Sequence, residues 1–479
     1  MPKGPQSRRL SCTDRSAMIT IPPKFRSAFI GPKSQIEGRN ERVKDARRRR
    51  SDPVEYLNSM LAGASIPQVP TKKEHLVDPF AAACITVDRD VHTLLQYYAE
   101  VCHPNVWKTE HCLVSSRDYQ FKFTLKAVIQ ECFQNRMNMY AILASMASQG
   151  SFLHHMVLRH ENAYFLHEAL TSFRLHLAQT PTVTDELLFN MFHLGCAEFY
   201  SFHSDAAYVH LRAIKRGVDE RGGLANISAA VRELIILGDG YIAAESLTEP
   251  VFSLRGLASS YDVPAEIADT YESVLAQVTT RSSMVGRAFL SHHDEPIISS
   301  ELRELIVNLA VSMVLLRFYS QDNSALSSRS KALHWLHCRN LVTRHRLLLM
   351  KTQNHYTDVL RWTIVAWTLL TMSGAGRVRV VKGMATKLQS MLGLLDPLHW
   401  ADIHLWILLT LVMCARGGSS ERNWFISEIG RVRALGHSVL EPIIWDETGV
   451  ADFCKVFFWL EHVQRPMLTS LMPLLSPTG

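Results

Sequence analysis

Eight histidines crowd one stretch of this chain: His154, His155, His160, His167, His176, His193, His203 and His210. His160 and His167 lie seven apart, close enough in phase to share a helical face, and each is followed by a glutamate, Glu161 and Glu168. A zinc hydrolase presents two histidines four apart with a glutamate base beside them. That pattern is missing, so these histidines are expected to cap helices or hold part-exposed polar positions. Asp396, His399, Asp402 and His404 form a second group. Asp396-Pro397 is a natural helix start, and an acid there complements the positive end of the helix dipole, so capping is expected. Gly374-Ala375-Gly376 lacks a preceding strand and the lysine of a phosphate loop, and reads as a turn. Asn226-Ile227-Ser228 fits a glycosylation sequon but is better read as helix capping. No paired carboxylates, no nucleophile with its base and no metal set in a recognised spacing emerge. The sequence therefore assigns no catalytic, cofactor or metal residues, and the reading is of a protein that is not an enzyme.

The nine cysteines are scattered without a CxxC pair, which points to reduced thiols packed as small apolar groups inside a cell. No apolar run reaches the roughly 18 residues a spanning helix needs, so no membrane is expected as a partner. Charge is divided unevenly. Residues 1–50 hold 14 Lys and Arg against 4 Asp and Glu, whereas residues 51–479 hold 37 against 41. The basicity belongs to the leader. Residues 1–73 are rich in proline, serine and charge and carry few apolar positions at a usable period, so they are expected to be disordered. Within them, Arg42, Lys44, Arg47, Arg48, Arg49 and Arg50 form a run suited to nuclear import or to contact with nucleic-acid phosphates.

The elements that would position any site begin near Asp78. Residues 74–479 read as an all-α domain, a large irregular bundle or array of antiparallel helices, with two lobes meeting near residues 279–296. Helices are predicted over about Asp88 to Val101, Tyr119 to Ala147, Leu158 to Gln179 and Thr184 to Phe202. Others are predicted over about Pro264 to Val278, Ser300 to Tyr319, Ser327 to Met350, Tyr356 to Met372 and Val381 to Leu395. His399 to Arg416, Arg422 to Leu435 and Val450 to His462 complete the set. The alternation at Arg377 to Val381 is too short to found a sheet. Trp335, Trp362, Trp367, Trp400, Trp406, Trp424, Trp445 and Trp459 are expected mostly in the core. A small-molecule effector pocket between helices, anchored by Arg361 or Arg416, is the alternative use for some of them.

The best-formed stretch runs from Asp205 to Phe252. Ala207, Leu211, Ile214 and Val218 recur at helical spacing, Gly222 and Gly223 stop the helix, and Asn226 or Ser228 can cap a second one. Val231, Leu234, Ile235, Tyr241 and Ile242 line that second helix, and Pro250 is the expected stop. An antiparallel pair is the local prediction. Ala206-Ala207, His210-Leu211, Arg221-Gly222-Gly223-Leu224, Asp239, Ala243-Ala244 and Pro250-Val251-Phe252 together resemble the central helical region of the fungal-specific transcription factor family. The resemblance extends upstream to Asp78-Pro79-Phe80 and Leu94-Leu95-Gln96-Tyr97-Tyr98, and downstream to His404-Leu405-Trp406 and Phe457-Phe458-Trp459-Leu460. It covers roughly the last four fifths of the chain.

This resemblance implies a nuclear regulator of transcription, of a kind often found beside the biosynthetic genes it controls. It also implies protein partners or a homodimer. Such regions usually follow a binuclear zinc cluster built on six closely spaced cysteines. Here Cys12 is the one cysteine before Cys84, so this sequence carries no such cluster. Any DNA contact is then expected to be indirect or weakly specific, and an interaction protein that never touches DNA is the rival reading.

Overall fold

The computed structural model describes residues 83–103, 125–179, 182–254, 262–292, 298–321, 326–370, 376–397, 399–435 and 443–475. The basic leader, with Arg42, Lys44 and Arg47 to Arg50, lies outside them, as do Asp78-Pro79-Phe80 and the turn residues Gly374 and Ala375. The described residues form seventeen α-helices and no strand.

The first helix, α1 (Arg89–Tyr97), starts where the Asp88 carboxylate accepts the Val91 amide at 2.9 Å, as its sequence predicts, and passes into a π turn at Tyr98–Cys102. The long helix expected from Tyr119 is instead two, α2 (Leu125–Gln134) and α3 (Arg136–His154). Asn135 divides them. Its backbone is extended, and its side chain accepts the Met137 amide at 2.9 Å, offering the chain a local bond in place of the helical one. Every residue of α3 from Met137 to Gly150 is buried, because α1, α4 (Asn162–Gln179) and α5 (Asp185–Tyr200) pack around it. Thr184 caps α5 through the Leu187 amide.

The central pair is α6 (Ser204–Glu220) and α7 (Ala229–Ser246). Ala207, Leu211, Ile214 and Val218 are buried as the periodicity predicts. Gly222 and Gly223 have φ of 86° and 105°, and the Gly223 amide closes on the Val218 carbonyl at 2.9 Å. Three details differ from expectation. Neither Asn226 nor Ser228 caps α7 with its side chain; the Ser228 amide donates to Asp185 of α5, and the Asn226 amide group donates back to the Arg221 carbonyl. Nor does Pro250 end α7. The helix closes earlier, where Leu247 turns left-handed and the Thr248 amide returns to the Ala243 carbonyl. Finally, α6 lies chiefly against α5, whereas α7 is flanked by α5, α11 (Leu326–Leu349) and α13 (Gly376–Leu392).

The remaining helices are α8 (Ala268–Thr279), α9 (Arg287–Ser291), α10 (Ser300–Gln321), α12 (His355–Leu370), α14 (Ala401–Cys414), α15 (Ser420–Leu435), α16 (Glu447–Lys455) and α17 (Glu461–Leu475). Arg377 to Val381 belongs to α13. The expected helix from Val450 to His462 is broken at Phe457–Leu460, an aromatic corner between α16 and α17. The corner holds because the amides of Gly286 and Ala288 donate to the carbonyls of Phe457 and Val456, at 2.8 and 2.9 Å. These bonds replace those the helix gives up there. Phe289 then sits with its ring centroid 5.0 Å from Trp406, 4.9 Å from Phe457 and 5.1 Å from Phe458. One continuous apolar core runs from Val91 to Leu475. No helix among the described residues is long and apolar enough to cross a membrane.

Candidate functional site

The groups that sequence reasoning brought together are divided among several partners in the fold. His160 precedes α4, so it shares no helical face with His167; its backbone and ring nitrogens both meet the Asp90 carboxylate at 2.9 Å, and its ring stacks on Tyr164. His193 is fully buried among Tyr98, Phe189 and Phe192, and burial lowers its pKa to about 4. His203 pairs with Glu198 at 2.6 Å. The second group stays partly together around Tyr356, through a backbone carbonyl and two rings and not through its carboxylates. Asp402 meets His292 at 3.0 Å, His404 meets the Tyr356 hydroxyl at 2.7 Å, and the same hydroxyl donates to the Asp396 carbonyl. Trp400, in a left-handed conformation, occupies the start of α14, so none of the four side chains caps that helix from its N-cap position.

Trp335, Trp362, Trp367, Trp406 and Trp459 are buried in the core. Arg361, offered as an effector anchor, is committed elsewhere: it donates to the Leu347 and Leu348 carbonyls at the end of α11, pairs with Asp358 and lies over Trp362. Arg416 sits in the turn after α14, where its carbonyl accepts the Ser419 amide. Burial pushes the thiols of Cys132 and Cys196 up to about 12, the mark of cysteines used as apolar packing.

The polar chemistry of the interior converges instead on α7, whose stripe reads from sequence as packing. Glu233, Asp239 and Glu245 all face partners on other elements. Glu245 accepts from Arg379 of α13 at 2.8 Å and from Ser204 of α6 at 3.0 Å, with the Arg379 guanidinium 4.0 Å above the Phe199 ring. Asp239 accepts the Val251 and Phe252 amides, both at 2.9 Å, and its Oδ2 lies 3.4 Å from Nε2 of His345. That imidazole also donates to the Phe252 carbonyl at 2.8 Å. Burial raises the Asp239 pKa to about 7, against the two amide bonds that oppose it, and lowers that of His345 to about 4.

The third carboxylate makes the most distinctive arrangement. Glu233 Oε1 lies 2.9 Å from Nε2 of His334 and 3.6 Å from Sγ of Cys338, and those two atoms are 3.5 Å from each other. His334 and Cys338 are four apart on α11 and therefore stand one above the other on one face. Glu233 and Cys338 are buried, while the His334 side chain is 37% exposed. Burial pushes the Glu233 carboxyl up, but the His334 hydrogen bond and charge outweigh it, and the group sits below its ordinary value. The trio is not arranged as a nucleophile relay. A relay uses one ring nitrogen for the nucleophile and the other for the orienting acid, whereas here the single Nε2 faces both thiol and carboxylate. Compared with protein-family models, with curated proteins and with solved structures, the chain matches none.

A signal for this trio exists in the sequence. His334-x-x-x-Cys338 has the one-turn spacing of a helical ligand pair, but a cysteine ends it and its second histidine, His337, stands three residues after the first, so it falls outside an HExxH search. Glu233 lies a hundred residues away, and nothing local reveals that it meets them.

Proposed function

We propose that this protein is a nuclear regulator of transcription, not an enzyme, whose all-α body binds a protein partner or a small effector and whose basic leader serves import. The observation that supports this reading is the use made of the residues that carry the family resemblance. Arg221 pairs with Asp185 and donates to the Asn226 carbonyl, Gly222 and Gly223 form the left-handed turn, and Asp239 holds the amides of Val251 and Phe252. Short matches that serve one stretch of backbone support a likeness better than matches scattered over a surface. Contacts from Arg42, Lys44 and Arg47 to Arg50 to phosphates position a protein without specifying sequence, so promoter choice falls to a partner.

The want of a zinc cluster in this sequence favours a second reading, an interaction protein that holds a complex together without touching DNA. Two experiments separate the readings. Residues 1–73 fused to a fluorescent reporter should accumulate in the nucleus and lose that localisation when Arg47 to Arg50 become alanine. A cytoplasmic signal indifferent to the change would sink the import claim. Deletion of the gene should alter the transcript profile, with biosynthetic genes among those affected. An unchanged profile, together with stable partners on pull-down, selects the second reading.

A further inference from the structure

We propose that Glu233, His334 and Cys338 form a binding site for one zinc-class divalent cation, bridging α7 and α11. In a tetrahedral zinc site the bond lengths fix the ligand separations: about 3.6 Å for sulfur to nitrogen, about 3.6 Å for sulfur to carboxylate oxygen and about 3.4 Å for nitrogen to oxygen. The first two match the 3.5 and 3.6 Å found here. The third pair stands at 2.9 Å, the distance of a hydrogen bond from imidazole to carboxylate, and it need open by only about half an ångström to admit the ion.

The imidazole nitrogen and the thiol both meet one oxygen, Glu233 Oε1, so the three groups close on one small space. With a cation at the centre, every contact becomes favourable, because carboxylate and thiolate are neutralised together. One sulfur, one imidazole nitrogen and one carboxylate oxygen suit zinc and its borderline neighbours, and disfavour magnesium and calcium, which take oxygen. Three protein ligands leave one tetrahedral position for water or an exogenous ligand, and the exposed side of His334 gives it access. On binding, the thiol loses its proton to solvent and a neutral imidazole keeps its proton on Nδ1, so one proton leaves per ion bound when the thiol starts protonated and the imidazole neutral, and two when the imidazole starts charged.

The test uses the full chain, reduced and stripped with chelator, titrated with cobalt(II) and then with zinc(II). Wild type should take up one equivalent of cobalt, with the visible bands of a tetrahedral ion and an ultraviolet thiolate-to-cobalt band, and zinc should displace it. Cys338→Ser should abolish the thiolate band. Glu233→Gln and His334→Gln should each weaken binding by more than the ~10–100-fold that loss of an outer-sphere partner costs. Cys454→Ser, at a thiol buried elsewhere, should change nothing. The thermal midpoint of wild type should rise with zinc, and that of His334→Gln should not. No thiolate band in wild type, or affinity indifferent to Glu233→Gln and His334→Gln, would overturn the proposal. His334 is the most exposed of the three, so its variant keeps the test decisive if Cys338→Ser fails to fold.

Discussion

Asp239→Asn isolates the titration of the carboxylate at the heart of α7. The folded group has a pKa of about 7 against an ordinary 3.8, raised chiefly by burial. A raised acid contributes stability that is fully present below about pH 3.8 and is lost as pH rises through about 7, because across that window the folded state holds a proton that the unfolded state has released. The shift is about 3 units, worth about 4 kcal/mol in total, of which about 2.5 kcal/mol falls between about pH 5 and about pH 8. His345, lowered to about 4, stays neutral over most of that interval and supplies no compensating charge. Asparagine cannot ionise. Whatever its fixed penalty from setting an amide against the Val251 and Phe252 donors, the stability gap between wild type and variant should move in the variant's favour by about 2.5 kcal/mol as pH rises over that interval. Urea unfolding of both full chains, followed by tryptophan fluorescence at several pH values, measures the gap. A gap that stays constant, or widens against the variant with rising pH, would refute the reasoning. It would mean that the two amide bonds outweigh burial and hold the carboxylate ionised.

Two further perturbations test the packing. Arg379→Ala strips Glu245 of its buried cation and should cost about 3–5 kcal/mol in denaturant unfolding, with part of the loss recovered when Glu245→Gln is added. Trp406→Ala empties the space against Phe289 and Phe457 and should cost about 3–5 kcal/mol, seen as a lowered thermal midpoint with little change in helical circular dichroism.

Much of the fold was legible because helical periodicity, glycine and capping residues are local signals. The stripe of α6, the Asp88 and Thr184 caps and the Gly222-Gly223 turn depend on residues within a few positions of one another. The misread boundaries have a common cause. The helical spacing of apolar residues runs on past Asn135, and Phe457–Leu460 are themselves apolar, so neither interruption shows in the pattern. The second interruption is held by amides from Gly286 and Ala288, which no window of sequence contains. The candidate site was the least legible part. Histidines close together in sequence proved to serve separate partners, Asp90 for His160 and Glu198 for His203, whereas Glu233, His334 and Cys338 meet only because α7 and α11 pack together. A buried carboxylate on an apolar helix, such as Glu233 or Asp239, was the available sign that this helix does more than fill space.

The aromatic corner at Phe457–Leu460 also imposes an order of assembly. Phe289 is made long before its cover, since about 170 residues separate Gly286 from the carbonyl that receives its amide. That distance takes on the order of ten to thirty seconds of synthesis. Through that interval α9 stands with an uncovered apolar face, joined late by α14, and the nascent chain must be shielded from its neighbours until the corner arrives. The same dependence makes the corner a latch on the finished molecule: release at Phe457 would expose Phe289 and Trp406 before any other helix need unwind.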